Sequence, residues 1–191
     1  MESLEKNPWK ILYENQVYDN PWIALTQYSV ITPAGTPGIY GKIHFKNKAI
    51  GVLPVDTNNC IRLVSQWRFP IDCLSWEIPE GGGPLNEDPL EAAKRELREE
   101  TGLVAEEWTL LMRTHLSNSV SDEEGIIFLA RNLSLSQTDR EDTEADMKII
   151  NLPFRDAFDW VMNGKITDSL SVMAILKAAH LYPEFFHAAQ N

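Results

Sequence analysis

Three glutamates near the middle of the chain have the spacing of a metal-binding cluster. Glu96, Glu99 and Glu100 stand at i, i+3 and i+4, so on a helix their carboxylates share one face. Like charges crowded in this way repel, and a solvated helix gains nothing from the arrangement. A hard divalent cation such as Mg²⁺ would offset the repulsion, because it prefers carboxylate and phosphate oxygens. The alternative is an exposed, charged helix with local Glu–Arg pairs.

The segment that carries these acids has clear helix boundaries. Asp88 is a suitable N-cap, Pro89 suits the first helical position, and Gly102 suits a left-handed C-terminal residue. A helix is therefore predicted over residues 89–101. Charged residues fill most of its positions, and the expected inward stripe consists of Leu90, Ala93, Leu97 and Thr101.

The other elements predict an α+β fold, with a mixed sheet flanked by helices and preceded by a β-rich N-terminal lobe. We expect the lobe to span residues 1–55 and the main domain to span residues 56–191. Residues 67–86 are expected to form an irregular loop with a short strand near 76–78, and residues 134–146 an acidic loop. Strands are predicted within 9–31 and 39–65 and near 109–116, 126–130 and 147–152, and helices near 154–162 and 168–180.

The sequence from Gly81 to Leu103, GGGPLNEDPLEAAKRELREETGL, resembles the signature of the Nudix hydrolase family. That signature is G-x5-E-x7-R-E-U-x-E-E-x-G-U, in which U is aliphatic, and every specified position matches. The resemblance implies a loop–helix–loop within an α/β/α sandwich. It also implies hydrolysis of a nucleoside diphosphate linked to another moiety, in which water attacks phosphorus while metal ions neutralise the diphosphate.

The resemblance also assigns roles to individual residues of the signature. It implies Mg²⁺ as the cofactor, with Mn²⁺ as an alternative. Gly81, Glu87 and Arg95 match positions that orient the motif. The matching metal ligands are Glu96, Glu99 and Glu100, together with the backbone carbonyl of Glu80.

Two further motifs resemble the ADP-ribose and nucleoside-diphosphate-sugar pyrophosphatases within that family. QWRFP at 66–70 and WEIPEG at 76–81 are close to the patterns Q-aromatic-R-x-P and E-x-P-A-G. In those enzymes the matching arginine contacts the substrate, which makes Arg68 a candidate phosphate or ribose contact. The alternative is a surface arginine that packs against Trp67.

The sequence SNSVSDEEG at 117–125 lies where those enzymes have a mobile loop with a water-activating glutamate. Glu123 matches that glutamate best, and Glu124 is the adjacent alternative; both could instead belong to an ordinary acidic turn. Asn118 and Ser119 stand where the subfamily usually has proline and glycine. This departure argues against strict specificity for ADP-ribose. Other nucleotide sugars, GDP-mannose included, are therefore candidate substrates.

The leading hypothesis is a metal-dependent pyrophosphatase that releases a nucleoside monophosphate and a sugar phosphate. Alternatives are a Nudix hydrolase of a modified nucleoside triphosphate, a dinucleotide or an RNA cap. A non-catalytic Nudix-fold module is a further alternative, but it would be expected to lose signature acids that this chain keeps.

Several aromatic residues could stack on a nucleobase: Trp9, Trp22, Tyr13 and Tyr28. Packing within the protein is the commoner role of such side chains.

Net charge and cysteine content restrict the partners and the compartment. With 28 acidic and 17 basic residues the net charge is −11, which argues against binding nucleic acid or anionic membranes through diffuse positive charge. Cys60 and Cys73 have no zinc-site spacing, and no signal or transmembrane pattern is present, so a cytoplasmic protein is expected.

The family resemblance implies a homodimer in which the N-terminal lobe is exchanged between subunits.

Overall fold

A computed structural model describes residues 6–136 and 147–187, so most of the predicted acidic loop at 134–146 lies outside the described residues. The chain divides into two compact units. The first comprises Met1–Asn47 with His115–Glu123, and the second comprises Lys48–Thr114 with Glu124–Asn191. Among the described residues, no helix is long and apolar enough to cross a membrane.

The first unit is built on a three-stranded antiparallel sheet of β1 (Lys10–Asp19), β2 (Ile23–Ile31) and β3 (Pro37–Phe45), in that order. Asn20 closes the first turn, because its side-chain oxygen accepts from the backbone N–H groups of Trp22 and Ile23, at 2.8 and 2.7 Å. The turn separates β1 from β2 within the range 9–31 that was predicted to form strands.

Within its described residues, the second unit contains two sheets and three α-helices. The strands are β4 (Asn47–Pro54), β5 (Cys60–Arg68), β6 (Cys73–Glu77), β7 (Glu80–Pro84), β8 (Leu103–His115), β9 (Glu124–Leu135) and β10 (Lys148–Pro153). One sheet is antiparallel with the order β10-β5-β6, and the other, the mixed sheet, has the order β7-β4-β9-β8, in which β4 and β9 are parallel. The helices are α1 (Pro89–Thr101), α2 (Phe154–Met162) and α3 (Ser169–Leu181), with 3₁₀ turns at Phe69–Ile71 and Pro183–Phe186.

The boundaries of α1 confirm the sequence prediction. The Asp88 carboxylate accepts a hydrogen bond from the Leu90 N–H at 2.9 Å, and Pro89 is the first helical residue. Gly102 ends the helix with a φ of 67°, a conformation that costs an L residue with a side chain about 1 kcal/mol or more. The helix that carries the acids is therefore fixed at both ends by local chemistry.

Helices α1 and α3 lie on opposite faces of the mixed sheet. Ile50 and Val52 of β4 belong to the buried cluster that α1 joins through Leu97. A side chain on Gly51, between them, would instead meet Leu170 of α3 at 3.5 Å. Because successive strand residues point to opposite faces, the sheet is sandwiched between the helices, which confirms the predicted α/β/α architecture.

Two local predictions were wrong. Residues 67–86 contain two strands, β6 and β7, where one short strand in a loop was expected. The sequence of β7, EGGGP, lacks the β-branched residues typical of strands, but it needs small residues because a Cβ on Gly83 would lie 2.8 Å from Ile50. In α1, Glu96 and Glu100 are buried, although only the apolar stripe was expected to face inward.

Candidate metal-binding active site

The three signature glutamates lie on one side of α1, as their spacing predicts. Glu96 and Glu100 are only 6% and 3% exposed, so their carboxylates belong to the interior of the second unit. Glu99 is more open, with 19% of its side chain exposed. Burying carboxylates is costly unless they are paired with cations or donors, so their partners decide what the site can do.

The backbone of the loop before α1 approaches one of these acids very closely. A Cβ atom on Gly81 would overlap the carboxylate of Glu96, so a larger residue here would force that side chain to move. The first glycine of the signature therefore lets the loop backbone and this carboxylate approach each other closely.

Arg95 links the helix to the same loop. Its Nη1 donates to Glu96 and Glu99 at 2.7 and 3.2 Å, and its Nη2 donates to the Gly82 carbonyl at 3.0 Å and to Glu87 at 3.4 Å. Partial burial disfavours its charge, but the carboxylates outweigh this and raise the pKa of Arg95. Its contacts are thus with the loop and the helix, consistent with an orienting role.

The residues just before Gly81 are hydrogen-bonded both to the acidic face of α1 and to β4. The backbone N–H of Glu80 donates to Oε2 of Glu100 at 3.1 Å, and Val52 of β4 donates to the Pro79 carbonyl at 2.8 Å. Glu80 and Glu100, both predicted as metal-site residues, are therefore in direct contact. The Glu96 carboxylate lies close to the backbone of the next residue, Gly81.

A second group of carboxylates lies beside this segment, and sequence reasoning did not assign it. Oxygen atoms of Glu77, Glu80 and Asp168 all lie within 4.8 Å of one another. Glu77 stands in the quoted WEIPEG motif and Asp168 at the start of a predicted helix, but nothing in the sequence indicates that they meet. Asp168 is also the N-cap of α3, where the helix dipole favours negative charge.

Arg68 compensates part of this negative charge. It donates from Nε and Nη2 to the two oxygens of Glu77, at 2.8 and 2.5 Å, and from Nη2 to Glu80 at 2.7 Å. Burial opposes its charge, but Glu77 and Glu80 raise the pKa of Arg68. The guanidinium is engaged by the protein's own carboxylates, and its contact with substrate stays a prediction.

The charge balance of this group fits a cation. Three carboxylates face one guanidinium, and Oε2 of Glu80 is buried without a hydrogen-bond partner among the described residues. Burial, followed by the nearby charges of Asp168 and Glu77, raises the pKa of Glu80 well above its usual value. Together with the acids of α1, these oxygens match the ligands preferred by Mg²⁺ or Mn²⁺.

The two candidate bases differ in their surroundings. The Glu123 carbonyl accepts from the Leu116 N–H at 3.0 Å, and partial burial raises the pKa of the Glu123 carboxyl. Glu124 instead accepts a hydrogen bond from Arg113 at 2.7 Å. Because Glu123 belongs to the first unit and Glu124 to the second, each is described only within its own unit.

Aromatic residues of the first unit line a cavity of about 350 Å³. Trp9, Tyr28 and Tyr40 contribute to its wall, and the rings of Trp9 and Tyr40 meet edge to face with centroids 5.3 Å apart. Two of the aromatics considered for stacking therefore lie together, Trp9 and Tyr28. The other two are not among its lining residues and are about two-thirds exposed, Tyr13 and Trp22.

The raised pKa of Glu80 predicts a pH-dependent cost in the metal-free protein. Between its ordinary pKa and the raised value, the folded state binds more protons than the unfolded state, so stability falls as pH rises. We expect Glu80→Gln, measured with chelator at pH 8, to raise the melting temperature, because glutamine removes the cost of ionising this buried carboxyl. The gain should disappear toward pH 4.

Thermal unfolding across this pH range measures the effect. Glu106→Gln is the control, because Glu106 is an exposed carboxylate outside the cluster, and its substitution should leave the pH profile unchanged. A Glu80→Gln variant that is no more stable than the wild type at pH 8 would contradict the electrostatic account.

Comparison with known proteins places these features in a family. The NUDIX domain model matches residues 46–160. An ADP-ribose pyrophosphatase of Bacillus subtilis (strain 168) is 30% identical over 176 residues, which cover 92% of this chain and 93% of that protein. One from Mycobacterium tuberculosis (strain ATCC 25618 / H37Rv) is 32% identical over 130 residues, 67% of this chain and 63% of that protein, so the match spans just under two thirds of that relative.

A solved structure agrees with this assignment at the level of the fold. The crystal structure of an ADP compounds hydrolase matches with a TM-score of 0.83, over 96% of this chain and 98% of that one, at 18% identity. Signature residues, their burial on α1 and the sandwich around the mixed sheet all agree with the family match, and the chain therefore belongs to the Nudix family.

Proposed function

We propose that this protein hydrolyses the diphosphate linkage of nucleoside diphosphate sugars, with ADP-ribose as the first substrate to test. The products would be a nucleoside monophosphate and a sugar phosphate. The observation that carries the proposal is the complete set of signature acids on one face of α1, with Glu80 of β7 hydrogen-bonded to Glu100 beside them. Relatives about 30% identical that are named ADP-ribose pyrophosphatases support the choice of substrate class.

The proposed site residues divide the work between binding and orientation. Glu96, Glu99, Glu100 and the Glu80 carbonyl would hold a divalent cation, Mg²⁺ or Mn²⁺. Such a cation neutralises the charge that develops on the diphosphate. Arg95 keeps the loop of Gly82 and Glu87 against the helix, so the acids do not need to reorganise when the substrate binds. Arg68 would contribute positive charge from beside the same segment.

The chemical step requires a base that takes a proton from the attacking water. We assign this role to Glu123, because burial raises the pKa of its carboxyl and a more basic carboxylate accepts a proton more readily. Glu124 is the less suitable choice, because its carboxylate is already engaged by Arg113. The departures at Asn118 and Ser119 support a nucleotide-sugar range wider than ADP-ribose.

We further propose that the second unit is the hydrolase domain, because β4 lies within the NUDIX match at residues 46–160, and that β1 to β3 form a dimerisation lobe smaller than the expected residues 1–55. Strand β1 is the edge of its sheet and is exposed along its whole length. Ile11, Tyr13 and Val17 are 61%, 65% and 50% exposed, an apolar display that is typical of an interface. The partner would be a second copy of this chain.

The proposed compartment is the cytoplasm, and the proposed substrate is a small molecule, not a nucleic acid. The free thiols of Cys60 and Cys73 suit a reducing compartment. A net charge of −11 disfavours a polyanion bound without metal.

A substrate panel with Mg²⁺, with Mn²⁺ and with chelator tests the reaction. We expect hydrolysis of ADP-ribose, GDP-mannose or a related nucleotide sugar, lost with chelator, and Glu100→Gln should lower kcat at least about 100-fold because a ligand of the cation is removed. The control is Glu91→Gln, which alters an exposed acid on the same helix that pairs with Lys94. Activity confined to dGTP, dinucleotides or capped RNA would overturn the substrate class, and undiminished activity of Glu100→Gln would overturn the metal site.

The identity of the base is tested by two neighbouring variants. Glu123→Gln should lower kcat by about 100-fold or more with little change in KM, because general-base catalysis acts in the transition state. Glu124→Gln should have a much smaller effect. If only Glu124→Gln loses activity, Glu124 is the base and the assignment is wrong.

Light scattering coupled to size-exclusion chromatography tests the dimer. We expect a mass twice that of the 21.7 kDa chain, and a shift to the single-chain mass when Ile11 and Val17 are both replaced by lysine. The matched control replaces Leu135, which is 83% exposed but lies on β9. A wild-type protein of single-chain mass would refute the dimer.

A further inference from the structure

The three residues before Gly81 are fixed by hydrogen bonds to three separate elements. The Ile78 N–H donates to the hydroxyl oxygen of Ser171 on α3 at 2.8 Å. The Pro79 carbonyl accepts from Val52 of β4, also at 2.8 Å, and the Glu80 N–H donates to Glu100 of α1 at 3.1 Å. Segment 78–80 therefore joins both helical layers to the central sheet.

Of these three bonds, the one to Ser171 is the only one made by a side chain outside the signature helix. Ser171 is completely buried, and its own N–H donates to Asp168 at 2.7 Å in the N-cap of α3. The neighbouring Leu170 packs where a side chain on Gly51 would extend. The serine hydroxyl is consequently held in place by a capped and packed helix start.

We propose that Ser171 is a positioning residue for metal binding, an inference that rests on the proposed metal role of Glu80 and Glu100. By accepting from Ile78, Ser171 fixes the peptide that continues into Pro79 and Glu80. The Glu80 N–H in turn orients the Glu100 carboxylate. Hydrogen bonds of this indirect kind set the direction of metal ligands, and their loss typically costs about 10- to 100-fold in metal affinity.

A purely structural role for Ser171 predicts a different outcome. A buried backbone N–H needs an acceptor, so the hydroxyl could serve stability alone. In that case its loss would lower the melting temperature and leave the affinity of the folded protein for metal unchanged. Metal affinity and stability must therefore be measured separately.

The test is titration of the full chain with Mn²⁺, followed by electron paramagnetic resonance, with thermal unfolding of the metal-free protein in parallel. We expect Ser171→Ala to bind Mn²⁺ about tenfold more weakly than the wild type. Ser171→Thr keeps the hydroxyl and should bind within about threefold of the wild type. The control is Ser169→Ala, an exposed serine in the same helical turn, which should bind normally.

Each outcome decides the inference. Wild-type Mn²⁺ affinity in a destabilised Ser171→Ala would overturn it, as would Ser171→Thr binding as weakly as Ser171→Ala. If Ser171→Ala does not fold, Ser171→Cys replaces it, because a thiol of similar size is a weaker acceptor and should still weaken Mn²⁺ binding. Normal Mn²⁺ affinity of Glu100→Gln would instead overturn the proposed metal role, which separates the two failures.

Discussion

The close approach of the Gly81 backbone to the Glu96 carboxylate is the constraint on which the site depends. It brings the loop and α1 so near that a side chain at position 81 would displace the Glu96 carboxylate. Arg95 can then reach Gly82 and Glu87 from the helix, and the Glu80 N–H can reach Glu100. A second glycine of β7 also lies in close contact, because a Cβ on Gly83 would lie 2.8 Å from Ile50.

The parts of the structure that depend on local chemistry could be predicted from the sequence. Helix α1 begins and ends where Asp88, Pro89 and Gly102 require, and α2 occupies the predicted range 154–162. Strand β7 was missed because close packing, not β propensity, selects its residues. The burial of two signature glutamates could not be predicted either, because charged residues normally mark the exposed face of a helix.

The acidic group of Glu77, Glu80 and Asp168 shows a different limit of sequence reasoning. Its members are brought together by the antiparallel pairing of β5 with β6 and by the start of α3, which lies about 90 residues further along the chain. No spacing rule connects positions so distant. Arg68 was singled out from the sequence, but its pairing with the carboxylates of Glu77 and Glu80 was not, and this pairing holds the guanidinium in place.

Through the proposed cation, the Glu80 oxygen that has no hydrogen-bond partner among the described residues would affect the abundance of the protein. A cation that binds only the folded chain adds stability in proportion to the logarithm of its concentration over its dissociation constant. Since the metal-free chain holds an excess of buried negative charge, its unfolded fraction would rise whenever the cation is scarce. Proteolysis acts on that fraction, so the cellular lifetime of the protein would follow the supply of the ion.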